Sequence, residues 1–194
     1  MALVTPILIF FLIGVFEVGW ILRGYLVLAN ANREAARYAV RTNVLHFDNI
    51  EMPEYKKVVT QTLNSLSGQL PIDFKDRGTM IISFIHASIP CTLPYTVTSP
   101  LNVPTYTAKF PATSTRQTWI DYPALITGLV KYQKQYACQR SSTALVALDN
   151  DVVIVETFYD QPQLLGFPII ANPLTDPVPL YTSSTFRRIQ EFRN

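Results

Sequence analysis

Residues 1–41 read MALVTPILIFFLIGVFEVGWILRGYLVLANANREAARYAVR, and this stretch decides the fold. From Met1 to Leu22 the only charge is Glu17. Wound as an α-helix, that run is about 33 Å long, enough to cross the hydrocarbon core of a bilayer. It is too long and too smoothly continued for a cleavable secretory signal, with no basic residues ahead of it and no small-residue cleavage site after it. No proline interrupts the sequence from Arg23 to Arg41 either. The pattern therefore predicts one helix of roughly 60 Å, a length that suits a bundle or filament better than a compact monomer.

Two stripes run along the second half of this helix. Ala31, Ala35 and Ala39 recur every four residues and form a small-residue ridge that lets another helix approach closely; the same ridge also fits an alanine-rich helix lying on its own domain. Arg33, Arg37 and Arg41 recur on a different face, with Glu34 placed to pair with Arg37 one turn on. Gly14, Gly19 and Gly24 offer further points of close approach. Glu17 is costly in lipid or in a dry core unless it is paired or protonated. Arg23 lies about 240° around the helix from it, too far for an intrahelical pair. The expected partner of Glu17 is thus an arginine, first of all Arg23, or a backbone or N-terminal amine, of a neighbouring helix. The alternative is a carboxylate snorkelling to a membrane interface near Trp20 and Arg23.

The rest of the chain reads as an ordinary globular body. Among 194 residues, 15% are charged, and the net charge of +2 is too small a bias to suggest nucleic acid. Fourteen prolines, seven glycines, ten tyrosines and eleven phenylalanines suggest strands and loops. PEYKKVVTQTLNSLSG (53–68) is an amphipathic helix with Val58, Val59, Leu63 and Leu66 facing the body, and TMIISFIHAS (79–88) is a buried strand. SSTALVALD and DVVIVETFYD flank Asp149-Asn150-Asp151, which reads as a hairpin turn. PVPLYTSSTFRRIQEF supplies a last strand with Leu180, Thr182, Ser184 and Phe186 on one face, and a short helix is expected after Pro123. Residues 89–118 are rich in proline and threonine and read as an extended insertion or edge segment. The expected fold is α+β: a long apolar helix (1–42), then a β-rich domain (43–194) with an antiparallel sheet and a short packed helix.

Little in the sequence points to catalysis. His46 and His86 are isolated, and no P-loop, Gly-x-Ser-x-Gly or dinucleotide-binding glycine pattern occurs. No enzyme, metal or cofactor is expected. Cys91 and Cys138 lie far apart, and in an exported domain such a pair forms one disulfide; in the cytosol they would be two buried thiols. The flanking charge argues the other way, since arginines follow the apolar segment and none precede it, which places the body in the cytoplasm. A basic leader ahead of Met1, removed or missing from this sequence, reconciles the two.

PILIFFLIGVFEVGW followed by ANANREAARYAV resembles the N-terminus of TadE-like pseudopilins, the small pilin-like subunits of tight-adherence pilus systems and relatives of type IV pilins. The resemblance rests on Pro6, on Gly-x-x-Glu-x-Gly at Gly14, Glu17 and Gly19, and on Ala35, Ala36, Arg37 and Ala39. It covers residues 3–41, with a weaker echo in VVIVETFYDQPQLLGF (152–167), similar to a late strand and turn of such proteins. Family precursors carry a basic leader ending in glycine, with a glutamate five residues after the cut. Here the chain opens MALVTP, so either it lacks the recognition site or Met1 is the mature first residue and Thr5 replaces that glutamate. The resemblance implies a subunit held in the inner membrane by its helix and then polymerised, with the pilus assembly machinery, into an extracellular filament used for adhesion. Pro6, Gly14, Glu17, Gly19, Arg23, Gly24, Ala31, Ala35 and Ala39 would then pack copies together. The alternative is an accessory pseudopilin, or a single-pass membrane protein with an exported binding domain, that does not polymerise.

Overall fold

The computed structural model describes residues 4–41, 52–66, 74–89, 106–125, 127–128, 148–164 and 177–189. Helix α1 (Val4–Arg41) is followed by α2 (Met52–Leu66) and a single turn α3 (Phe74–Arg77) that leads into strand β1 (Gly78–Ile89). Strands β2 (Tyr106–Phe110), β3 (Leu148–Gln161) and β4 (Val178–Ile189) complete an antiparallel sheet in the order β2-β1-β3-β4. The fold is α+β, with a long apolar helix ahead of the sheet, as the sequence implied.

Both faces of the sheet are covered, which explains why MIISFI and VVIV are apolar runs rather than alternating ones. Met80, Ile82 and Phe84 of β1 and Val153, Val155 and Tyr159 of β3 face α1 and α2. Ile85, Val152 and Ile154 face the other way, under Tyr122. The second half of α1 lies on the first face, with Leu28, Ala31, Ala35, Ala36 and Ala39 all in the same core as α2 and the sheet. Alanine at these positions lets the helix backbone come close to the strands. Polar groups fix its register. The buried Asn32 donates to the Val155 carbonyl at 3.0 Å and accepts from the Thr157 hydroxyl at 3.1 Å.

Helix α2 packs through Tyr55, Val58, Val59 and Leu66, with Leu63 partly buried. Thr62 is buried too, its hydroxyl returned to the Val58 carbonyl one turn back, so a polar side chain is accommodated on the packed face. The opposite face of the sheet is crossed by residues 111–125, a strap that leads into a helical turn starting at 122 and capped by Asp121, whose side chain accepts from the Ala124 N–H.

The structure differs from the sequence reading at Asp149-Asn150-Asp151. These residues are not a turn: β3 runs through them, pairing Asn150 with both Ala87 and Ile189. Paired strands on both sides satisfy the backbone there, and that outweighs the local turn preference of Asp and Asn. The insertion at 89–118 contributes an edge strand, β2, and the ordered start of the strap. Cys91 and Cys138, His46, Gly68 and residues 141–147 lie outside the described residues.

Candidate functional site

From Val4 to Phe16, α1 stands clear of the body, with large apolar side chains exposed around its circumference. Among the described residues it is the one helix long and apolar enough to cross a membrane; its most apolar window has a mean hydropathy of 2.2 and is almost entirely uncovered. Pro6 sits in the first turn, where a missing N–H removes no intrahelical bond. Gly14 and Gly19 are open, with no atom within 4 Å of where a β-carbon would stand. Both leave notches on an otherwise bulky surface.

A collar closes the base of this arm. Glu17 is 8% exposed, and its carboxylate accepts the Leu164 backbone N–H at 3.0 Å. One turn on, the Trp20 indole N–H donates to the Pro162 carbonyl at 3.2 Å. A further turn on, Gly24 is pressed against the end of β3: a β-carbon there would stand 2.6 Å from Gln161 Oε1 and 3.5 Å from Leu180 Cδ1. Glu17, Trp20 and Gly24 thus form one stripe of α1, spaced three and four residues apart, that is fastened to residues 161–164. Arg23 is exposed and lies over the Trp20 ring at 5.7 Å, a cation–π pair at the rim of the collar.

This arrangement gives Glu17 a partner within its own chain. Its carboxylate accepts a backbone amide of its own chain, whereas the sequence reading placed the partner on a neighbouring helix. Gly24, Ala31, Ala35 and Ala39, read from the sequence as contacts between copies, face the chain's own sheet. Pro6, Gly14, Gly19 and Arg23 remain on open surface. On the side away from the sheet the apolar surface continues past the collar through Val18, Leu22, Tyr25 and Leu26. Beyond them the helix turns polar: Arg33 is exposed, and Glu34 and Arg37 form the expected ion pair at 3.9 Å.

The collar residues Gln161, Pro162 and Leu164 carried no signal except the echo at 152–167. A second cluster carried none. On the sheet face away from α1, Glu156 is fully buried and accepts hydrogen bonds from the Thr118 hydroxyl, the Trp119 N–H and the Tyr181 hydroxyl. Burial raises the Tyr181 pKa to about 12, and the adjacent Glu156 carboxylate adds to the shift. Burial likewise raises Tyr159, on the helix side, to about 12. Among the described residues no group of three or more His, Cys, Asp or Glu side chains is placed to hold a metal ion.

Residues 1–37 match the model of the TadE-like protein family. No significant match is found among curated proteins or solved structures. The N-terminal segment is therefore TadE-like, and together with the apolar helix it fits a pilus-associated protein anchored in a membrane.

Proposed function

We propose that the chain is a pilin-like structural subunit, without catalytic activity, that polymerises through the N-terminal half of α1 into an extracellular filament. The observation that carries this reading is the apolar arm from Val4 to Phe16, exposed on all sides up to Leu12 and fastened at its base to a folded body. Before assembly the arm sits in the inner membrane; with the pilus assembly machinery it then moves into a core made of copies of itself. Lipid and such a core are similarly apolar, so hydrophobicity alone gives little drive for the transfer, and close packing decides it. Gly14 and Gly19 supply the close approach, because their notches are not filled by this chain. A head-to-tail contact that does not close into a ring generates a fibre, and adhesion follows from the bodies displayed on its surface.

The test is photocrosslinking from benzophenone side chains placed at Phe11 and at Val18, in cells and in material sheared from them, with electron microscopy of the same fractions. Filaments containing the chain, with ladders of crosslinked copies, are the expected result. A chain that stays in the membrane fraction and yields no ladder overturns polymerisation and assigns the accessory, non-polymerising role.

A further inference from the structure

Trp119 is 64% exposed, yet it is held in place from several sides. Its ring packs on Tyr181 with centroids 4.6 Å apart and meets Phe158 edge-on at 5.3 Å, and Phe158 and Tyr181 are themselves 4.9 Å apart. Its backbone N–H and the Tyr181 hydroxyl both end on Glu156 Oε1. A carboxylate with no exposed surface is costly to bury, and this one is compensated by three donors that fix the strap and the aromatic cluster together. An exposed indole is thus presented to solvent in a fixed orientation, which lowers the ordering cost of binding.

The surroundings of the ring define what fits it. Arg116 lies over the Phe158 ring at 5.8 Å and is held by Asp160 through two hydrogen bonds of 2.7 and 2.9 Å. Both members of this ion pair are about one-third exposed, at 38% and 33%, and offer fixed donors and acceptors beside the aromatic platform. Among the described residues of this cluster Trp119 is the exposed large apolar side chain, and one ring falls far short of the ~800 Å² per partner of a stable protein interface. A flat apolar face rimmed by polar groups matches a gluco-configured pyranose, whose equatorial hydroxyls form a rim and leave flat C–H faces.

We propose that Trp119, with Tyr181, Phe158 and the Arg116–Asp160 pair, forms a binding platform for a gluco-configured pyranose of an oligosaccharide. The C–H face of the sugar stacks on the indole, and its hydroxyls bond to the ion pair. The platform lies on the sheet face opposite α1, away from the apolar arm.

The test uses the full chain in a polyoxyethylene detergent, which has no sugar headgroup. Because Trp20 and Trp119 are the two tryptophans of the chain, a Trp20→Phe background isolates the Trp119 emission. Titration with cellotetraose and with tetra-N-acetylchitotetraose is expected to give a saturable emission change with at least one of them. Calorimetry should show at least a tenfold loss of affinity in Trp119→Ala, partial retention in Trp119→Tyr, and a smaller loss in Arg116→Ala. Absence of a saturable signal with both sugars, or equal affinity of Trp119→Ala and the parent, overturns the proposal. So does a Trp119→Ala variant that binds sugar normally but changes the oligomeric state, since the ring would then be a contact between proteins. Sugar binding by a chain that forms no filaments would leave this platform standing while the polymerisation reading falls.

Discussion

The Glu17 carboxylate receives the Leu164 backbone N–H at 3.0 Å, joining the base of an apolar helix to a segment 147 residues further along the chain. The charge is thereby matched to a backbone donor at the edge of the body. An amide in place of the carboxylate keeps an acceptor; an aliphatic side chain does not. Hydrogen bonds to charged groups contribute about 1.5–3 kcal/mol against about 0.5–1.5 for neutral ones. Amide exchange at Leu164 should therefore be slowest in the parent, faster in Glu17→Gln and fastest in Glu17→Leu. Filament yield should be unchanged in Glu17→Gln, because the bond lies within one subunit. Equal exchange in the Gln and Leu variants would show that the acceptor is unimportant.

The glycines of the same helix separate by what lies beside them. At Gly24 a methyl group would stand 2.6 Å from Gln161 Oε1, and Gln161 is itself fully buried with no room made for it by solvent. Overpacking of this kind costs about 1–3 kcal/mol, more than the roughly 1 kcal/mol that alanine adds to a helix. Gly24→Ala should lower the stability of the body in urea unfolding, and Gln161→Ala should recover most of the loss in a double-mutant cycle. Gly14→Ala and Gly19→Ala meet no atom within 4 Å, so the isolated subunit should be as stable as the parent or more so. Filament yield should nonetheless fall in both, as the notches available to other copies are filled.

The sequence made the long helix legible because its first 22 residues carry one charge and no proline occurs between Arg23 and Arg41. It made β1 and β4 legible through their apolar and alternating patterns. What it left open is which surface the small residues of α1 serve. Ala31, Ala35 and Ala39 make a ridge that fits a second helix or a sheet equally well, and only the position of β3 and β4 against them decides it. The collar was hidden for a similar reason. Leu164 binds Glu17 through its backbone, which no side-chain pattern encodes. Asp149 to Asp151 misled because turn propensity is local, whereas their pairing with β1 and β4 is not. Glu156 and Asn32, two buried polar residues, are recognisable only from the donors and acceptors the fold brings to them.

Asn32 shows how closely α1 is keyed to the sheet. It is 0% exposed, donating to Val155 O and accepting from Thr157 Oγ1. Asn32→Ala leaves the buried Thr157 hydroxyl without its acceptor, and an unmet buried group costs about 1–3 kcal/mol. Asn32→Asp keeps the acceptor but loses the donor and places a carboxylate against the Val155 carbonyl. Both variants should unfold at lower urea concentration than the parent. The aspartate variant should be the weaker of the two near neutral pH and should recover as acid protonates it.

Tyr159 offers a prediction in which stability rises. Its hydroxyl is buried with no hydrogen-bond partner among the described residues, while its ring stacks on Phe74 at 6.1 Å. Tyr159→Phe keeps the stacking and removes a desolvated group, so it should stabilise the protein near neutral pH, by about 1 kcal/mol on the scale of a buried unmet group. The alkaline behaviour has the same origin in burial, which raises its pKa from 10.0 to about 12. The folded state then holds a proton that the unfolded chain has released, so the contribution is complete below pH 10 and is lost progressively as the pH climbs towards 12. Tyr181, raised to about 12 chiefly by burial, titrates in the same window and makes the loss steeper. Tyr181→Phe should remove part of that alkaline slope but destabilise the protein at neutral pH, because the bond to Glu156 goes with the hydroxyl. Urea midpoints measured from pH 8 to pH 12 should therefore fall least in Tyr159→Phe/Tyr181→Phe, and a parent whose midpoint is flat across that range would show that neither phenol is buried in solution.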